Sequence, residues 1–240
     1  MYALKKIGIV TIGQSPRRDI VPEMRRVLGG EVEVLERGAL DDYTLEDVER
    51  LERKPGEGLL VTRMRDGTEV RVSHRHVDHP IQRCIEELEG EGVEFTLVLC
   101  TGGFPAFKSK RLVVYPSEIL RGVVRGALRR GRLGVVMPSR PRSRPPSEGQ
   151  LRGVEARRGQ GGMRTWGEGV EVVYDGASPY GPEEEVAEMA ERLAGAGVDL
   201  VFLNCMGFNS GHKEIVKEKT GKPVIQSSSL VARVLKELIS

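Results

Sequence analysis

The stretch Gly92-Val-Glu-Phe-Thr-Leu-Val-Leu-Cys-Thr-Gly102 returns 105 residues later as Gly197-Val-Asp-Leu-Val-Phe-Leu-Asn-Cys-Met-Gly207. Each copy opens on Gly-Val and an acidic residue, runs through a largely apolar segment and closes on Cys-X-Gly. Such a run fits a strand covered on both faces, as in a parallel α/β sheet. A second pair supports the repeat: Lys6-Ile-Gly-Ile-Val10 and Arg132-Leu-Gly-Val-Val136 stand 126 residues apart. The offsets differ by 21 residues, so the first half is the longer one. Gly-Val strand starts are common in doubly wound proteins, but that habit does not explain cysteines at two matching strand ends. Ligands of open α/β sheets bind at the carboxyl ends of strands.

Outward from these stretches the chain alternates strand and helix. Ile7 to Ile12 is a strand, Gly13 to Asp19 a polar loop, and Ile20, Met24 and Val27 carry helical spacing up to Gly29-Gly30. A strand from Glu31 to Leu35 and a helix capped by Thr44, with Asp47 three residues on, follow. Residues Gly58 to Ser73 interrupt the alternation as a hairpin about Asp66-Gly67, a pair suited to a type I′ turn. It is expected to be an insertion that projects from the first lobe, its edge a candidate dimer interface in a homodimer. A helix from Pro80 to Leu88, the strand Val93 to Cys100, a short run at Val113, a helix from Ser117 to Arg130 and a strand from Leu133 to Met137 come next. The proline-rich loop Pro138 to Pro146, a helix near Gln150, the strand Val170 to Tyr174, the loop Ser178 to Gly181, the helix Glu183 to Ala194, the strand Val198 to Asn204 and a terminal helix Leu230 to Leu238 complete the chain. The expected fold is α/β: two pseudo-symmetric three-layer lobes with mostly parallel sheets, 1–130 with the hairpin at 58–73, and 131–209, with 210–240 returning to the first lobe.

At 240 residues the chain can bury a substantial core, and 37 basic against 35 acidic residues give a net charge of only +2. No nucleic-acid partner is indicated. No apolar run approaches the roughly 20 residues of a membrane span, so neither a membrane partner nor a secretory leader is expected, and the location is read as cytoplasmic. Three cysteines make no disulfide framework. There is no Gly-X-Gly-X-X-Gly or phosphate-loop pattern, and no cofactor is expected.

Cys100 and Cys205 are therefore the candidate catalytic groups. Amides and a helix dipole beside a strand-end thiol favour the thiolate over the ordinary value of roughly 8.5, so a lowered pKa is expected. Two thiols facing each other across a cleft can remove a proton from one face of a carbon acid and deliver one to the other. Cys84 lies within a helical stretch, has no counterpart, and is read as packing. Backbone amides of Thr101, Gly102, Gly103, Met206 and Gly207 are candidate anion holders. Gln14 and Ser15 follow the first strand, Ser139 follows its counterpart, and Ser227, Ser228 and Ser229 follow Val224-Ile225, all at one sheet edge. Arg17 is a candidate carboxylate clamp, although a solvated surface charge is the commoner fate of a loop arginine. His74-Arg-His-Val-Asp-His79 has a zinc-like spacing, but only His212 remains elsewhere, too few for a binuclear site. A zinc hydrolase using His74, His76 and His79 is the remote alternative.

The opening Ile7-Gly-Ile-Val-Thr-Ile-Gly-Gln-Ser-Pro-Arg17, with Asp19-Ile-Val-Pro-Glu-Met24, Val98-Leu-Cys-Thr-Gly102, Ala177-Ser-Pro-Tyr180 and Asn204-Cys-Met-Gly-Phe208, resembles the AroM family within the aspartate/glutamate racemase superfamily. The resemblance implies a pseudo-symmetric two-lobe fold with a cleft site and one or two cysteines performing cofactor-free chemistry on a small carboxylate. It departs from the glutamate racemases where they place Asp-Ser after the first strand, here Thr11 and Ile12, and in the residues after both cysteines. The contacts of an amino-acid racemase are thus not reproduced. A racemase- or isomerase-like enzyme is the expected function, with a non-catalytic anion-binding or regulatory protein as its rival.

Overall fold

The computed structural model describes residues 4–51, 58–139 and 166–240. The expected helix near Gln150 and most of the proline-rich loop lie outside them. β1 (Lys5–Thr11), α1 (Val21–Leu28), β2 (Val32–Gly38) and α2 (Leu45–Arg50) lead to the hairpin β3 (Leu59–Arg63) and β4 (Glu69–Ser73). α3 (His74–Gly90), β5 (Phe95–Leu99), β6 (Leu112–Val114) and α4 (Pro116–Ala127) finish the first half. The second half holds β7 (Gly131–Met137), β8 (Val170–Gly176), α5 (Glu183–Gly195), β9 (Leu200–Leu203), α6 (Ser210–Thr220), β10 (Val224–Gln226) and α7 (Ser227–Ile239). Two four-stranded parallel sheets result, ordered β2-β1-β5-β6 and β8-β7-β9-β10.

The two orders are the same order, and the equivalence reaches single hydrogen bonds. The Ala39 amide donates to the Thr11 carbonyl at 2.9 Å, and the Ala177 amide donates to the Met137 carbonyl at 3.2 Å. Glu94 bonds Lys6 at 2.8 Å as Asp199 bonds Arg132 at 2.7 Å. Gly92 and Gly197, the turn glycines that opened the repeated stretches, both have positive φ, 81° and 66°. Strand alternation then divides the core. Ile7 and Ile9 of β1 and Leu133 and Val135 of β7 join one cluster shared by both lobes with Met24, Leu120, Phe202 and Leu235. Val10 and Val136 turn the other way, into separate outer clusters under α3 and α5.

Two crossing glycines make the sheet ends tight. A Cβ at Gly38 would stand 2.6 Å from the Gly13 carbonyl oxygen and 2.7 Å from the Ser15 amide, and one at Gly176 would overlap the Ser139 carbonyl. Gly38→Ala is expected to cost about 2 kcal/mol, lowering Tm by roughly 4–8 °C in a thermal melt. Gly30→Ala, where nothing stands within 4 Å, is the control and should change stability by less than about 0.5 kcal/mol.

Several elements differ from expectation for identifiable reasons. α3 begins at His74, six residues before Pro80, because Ser73 ends β4 in extended conformation and the helix runs through the proline. The hairpin turn is not a two-residue I′ turn. The Gly67 amide donates to the Met64 carbonyl, the Met64 amide to the Thr68 carbonyl, and Gly67 has φ 97°, the pattern of a type I turn closed by a glycine bulge. Nor does the hairpin stand away from the body: Met64, Val70 and Val72 are buried with Val10 and Ile12, which draws its apolar face onto the first sheet. α6 has no strong apolar spacing and was not expected. It is set by an Asn209–His212 capping box and by Gly221 at φ 64°. With β10 paired to β9, and α6 packed on α5, residues through Gln226 lie with the second sheet. α7 packs on α1 and α4 of the first half, and Ser210 and Gln226 donate hydrogen bonds to Glu23 of α1.

Candidate active site

Cys100 follows β5 and Cys205 lies two residues beyond β9, so the equivalent strands deliver both thiols to the sheets' carboxyl edge. Each sulfur accepts the amide two residues on, Gly102 at 3.3 Å and Gly207 at 3.4 Å. The loops also touch: the Thr101 hydroxyl donates to the Asn204 carbonyl at 3.2 Å. Met206 contributes its side chain to the shared core rather than to the cleft.

Burial sets the thiols' protonation. It pushes Cys205 up to about 11 and Cys100 up to about 12, against the opposing pull of the Gly207 and Gly102 amides and of the Arg17 charge. The neighbouring Cys205 adds to the rise at Cys100. A lowered pKa was expected from the loop amides. The amides are there, but they are outweighed by loss of solvent, even though Cys100 keeps some accessible surface. The linkage has a definite sign. Between the unfolded value near 9 and the folded values of about 11 and 12, the unfolded chain releases protons that the native chain holds, so stability falls as pH rises. Denaturant titrations should show the thiols' contribution to stability level below pH 9 and falling above it, by on the order of 2 to 4 kcal/mol per thiol. Cys205→Ala should flatten that slope by one proton.

Arg17 is no surface charge: it is 4% exposed. Nε and Nη2 donate to the two carboxylate oxygens of Asp19 at 2.9 and 2.7 Å, Nη1 donates to Thr11 Oγ1 at 3.0 Å and Thr62 Oγ1 at 3.4 Å, and Nη2 donates to the Tyr180 hydroxyl at 2.9 Å. All five N–H groups are occupied. Burial alone would lower its pKa, but Asp19 and Tyr180 outweigh it and hold the guanidinium charged. Burial likewise works to raise Asp19, yet the Arg17 hydrogen bonds and charge keep it below its ordinary value. Burial, reinforced by Cys205, raises Tyr180 against the pull of Arg17, so its hydroxyl is a neutral phenol. The phenol lies against Gly207, where an added Cβ would meet its oxygen at 2.7 Å.

The other expected site residues are occupied locally. Gln14 donates to the Tyr43 carbonyl and accepts the Arg65 amide, and Ser15 donates to Asp41 at 2.7 Å. Ser227 donates to the Leu203 carbonyl at 2.6 Å and Ser228 to the Phe208 carbonyl at 3.2 Å, both fully buried, so they tie α7 to the second sheet. Ser139 stands at the end of β7, its carbonyl against Gly176. Cys84 is buried in the outer cluster beneath α3, and burial pushes its thiol up to about 12. In α3, His74 and His76 are two residues apart and so diverge by about 200° around the axis. His74 packs edge-on against Phe104 and lies 3.4 Å from Asp78. Among the described residues no three His, Cys, Asp or Glu side chains are grouped to hold a metal, and no helix is long and apolar enough to cross a membrane.

The hairpin closes the arrangement. Thr62 reaches Arg17, Leu60 lies against Gly102, and Glu69 accepts the Ser178 hydroxyl of the second lobe at 2.7 Å. Arg63 stacks over the Tyr180 ring, its Cζ 4.8 Å from the centroid. Arg17, Gly102, Ser178 and Tyr180 belonged to motifs noticed in the sequence. Nothing local marks Thr62, Arg63 or Glu69.

Paired parallel lobes of this kind are also the fold of several solved racemases and of a decarboxylase. The chain resembles a glutamate racemase of Francisella tularensis subsp. tularensis SCHU S4, solved with D-glutamate, at TM-score 0.57 and 14% identity, over 99% of this chain and 82% of that one. It resembles an allantoin racemase of Klebsiella pneumoniae at TM-score 0.54 and 13% identity, over 98% and 87%. An arylmalonate decarboxylase matches at TM-score 0.52 and 13% identity, over 96% and 92%. The chain belongs to the AroM family, whose model, described as AroM protein, matches residues 7–239. No curated protein matches it in sequence.

Proposed function

We propose that this protein moves a proton on the carbon beside the carboxylate of a small carboxylic acid, without a cofactor, and that Cys100 and Cys205 serve opposite faces of that carbon. It rests on one observation: two thiols on equivalent strand ends, each bonded by an equivalent amide, share the field of one buried guanidinium. The two thiols interact, so loss of a proton from one raises the other, and the pair favours one thiolate and one thiol, the state a two-base transfer needs. A thiolate of high pKa is also the stronger base toward a weak carbon acid. The Tyr180 phenol receives its hydrogen bond from Arg17, leaving its own proton to give to the substrate's carboxylate. Racemases and a decarboxylase among similarly folded proteins agree with carbon-acid chemistry in this cleft.

The raised thiols favour a second reading, an anion-binding or regulatory protein that keeps the cleft and does no chemistry. A screen of small carboxylic acids in deuterium oxide separates the two. Protein-dependent exchange of the hydrogen next to the carboxylate, rising toward pH 11, is the expected result. Binding without exchange at any pH would leave only the second reading.

A further inference from the structure

Against Arg17, between the β1–α1 loop and the hairpin turn, lies a cavity of about 300 Å³. Four arginines line it, Arg17, Arg18, Arg63 and Arg65, against two carboxylates, Asp19 and Asp66. Their states differ. Arg17 is saturated, as described. Arg65 is spent on the Ser15 carbonyl at 2.6 Å and on Asp41 at 3.2 Å. Arg18 is exposed and makes no ion pair among the described residues. Arg63 is the built one. Its Nε donates to the Gly67 carbonyl at 2.7 Å, its plane covers the Tyr180 ring, and a Cβ at Gly67 would stand 2.9 Å from Nη2. The turn and the ring thus hold the guanidinium in place; its charge acts on Asp19 and Asp66 across the cavity, yet neither terminal nitrogen has a hydrogen-bond partner among the described residues. A fixed guanidinium fork with unused donors is the geometry that receives a carboxylate or phosphate in two parallel bonds.

We propose that this cavity is an anion subsite in which Arg63, helped by Arg18, takes a second negative group of the ligand. The ligand is then a small dianion, carrying one carboxylate at the thiols and a distal carboxylate or phospho group at the hairpin. Arg17 cannot fill this role, because a ligand there would have to displace Asp19 or Tyr180. Tyr180 joins the two positions: its hydroxyl faces the thiol side, and the guanidinium carbons of Arg17 and Arg63 lie 6.0 and 4.8 Å from its ring centroid. The subsite rests on the reading of the thiol cleft as the substrate site, and it deepens that reading by naming the ligand's charge.

Calorimetric titration of the full chain at low salt with acetate, succinate, inorganic phosphate and phosphonoacetate tests it. Succinate should bind roughly tenfold or more tightly than acetate, and Arg63→Gln should remove that advantage while leaving acetate unchanged. Arg63→Lys should keep part of it. Phosphate alone should bind the wild type and lose affinity in Arg63→Gln. A tighter phosphonoacetate would assign the distal group as phospho, and a tighter succinate as carboxylate. Arg18→Gln, at an exposed position that does not endanger folding, should weaken succinate about threefold. Equal affinities for succinate and acetate, or a succinate affinity within about twofold of wild type in a folded Arg63→Gln, would overturn the subsite. Because the readout is equilibrium binding, deuterium exchange can succeed while the subsite fails, and the reverse.

Discussion

Replacing either Cys100 or Cys205 with alanine is expected to abolish conversion between the two faces of the substrate carbon. The surviving thiol still exchanges the proton on its own side. In a two-base transfer each sulfur serves one face, so loss of one leaves a half-reaction rather than a slower whole one. The loss in the full conversion should be about 100-fold or more, the range that a positioned acid or base supplies. The measurement is paired: optical rotation or chiral chromatography for conversion, and mass spectrometry in deuterium oxide for one-sided exchange. Cys84→Ala, in the core beneath α3, should leave both readouts intact and serves as the control. Conversion surviving in the double variant would remove the thiols from the chemistry altogether. The pH dependence carries its own sign. Burial holds Cys205 at about 11 and Cys100 at about 12, so the thiolate–thiol state becomes more populated as pH rises toward 11 and declines once both ionise.

Arg17→Met is expected to be the most damaging change outside the thiols. It removes a buried guanidinium and leaves Asp19 partly buried without its partner, a loss of about 3 kcal/mol. Stability against pH identifies the cause. In the wild type Asp19 lies below its ordinary value, so its contribution is present above about pH 4 and is lost as pH falls through the folded value. In the variant, Asp19 keeps its burial but loses its cation, so its pKa rises and protonation relieves it. The gap between the two unfolding free energies should therefore be widest at neutral pH and narrow below pH 4. If the gap is independent of pH, the damage is simple loss of packing. The same change takes a positive charge from both thiols, so alkylation of Cys205 at pH 9 should slow. Arg17→Lys keeps the charge but not the five-donor fork and should fall between.

The sequence determined a good deal by itself. The Gly-Val to Cys-X-Gly repeat marked β5 and β9 as equivalent and placed both cysteines at the same edge of parallel sheets, because a continuous apolar run between a turn glycine and a loop has few other structural solutions. Gly38 and Gly176, which repeat too, were passed over, since a lone glycine says nothing about what crosses it. α6 escaped because its caps, not an apolar face, define it. The tertiary structure alone decided the protonation of the thiols: the amides that favour thiolate are local, whereas the burial that overrides them comes from the two separate apolar clusters, one packed against Cys100 in the first half and one holding Cys205 in the second. It alone decided the fate of Arg17 and Arg63. Both are loop or strand-end arginines of the same chemistry, yet Asp19, Thr11, Thr62 and Tyr180 consume every donor of the first. A turn carbonyl and an aromatic ring fix the second while leaving its terminal nitrogens free. Composition and spacing report which groups are present, but whether a charge is spent or available depends on partners brought from 45 and 163 residues away.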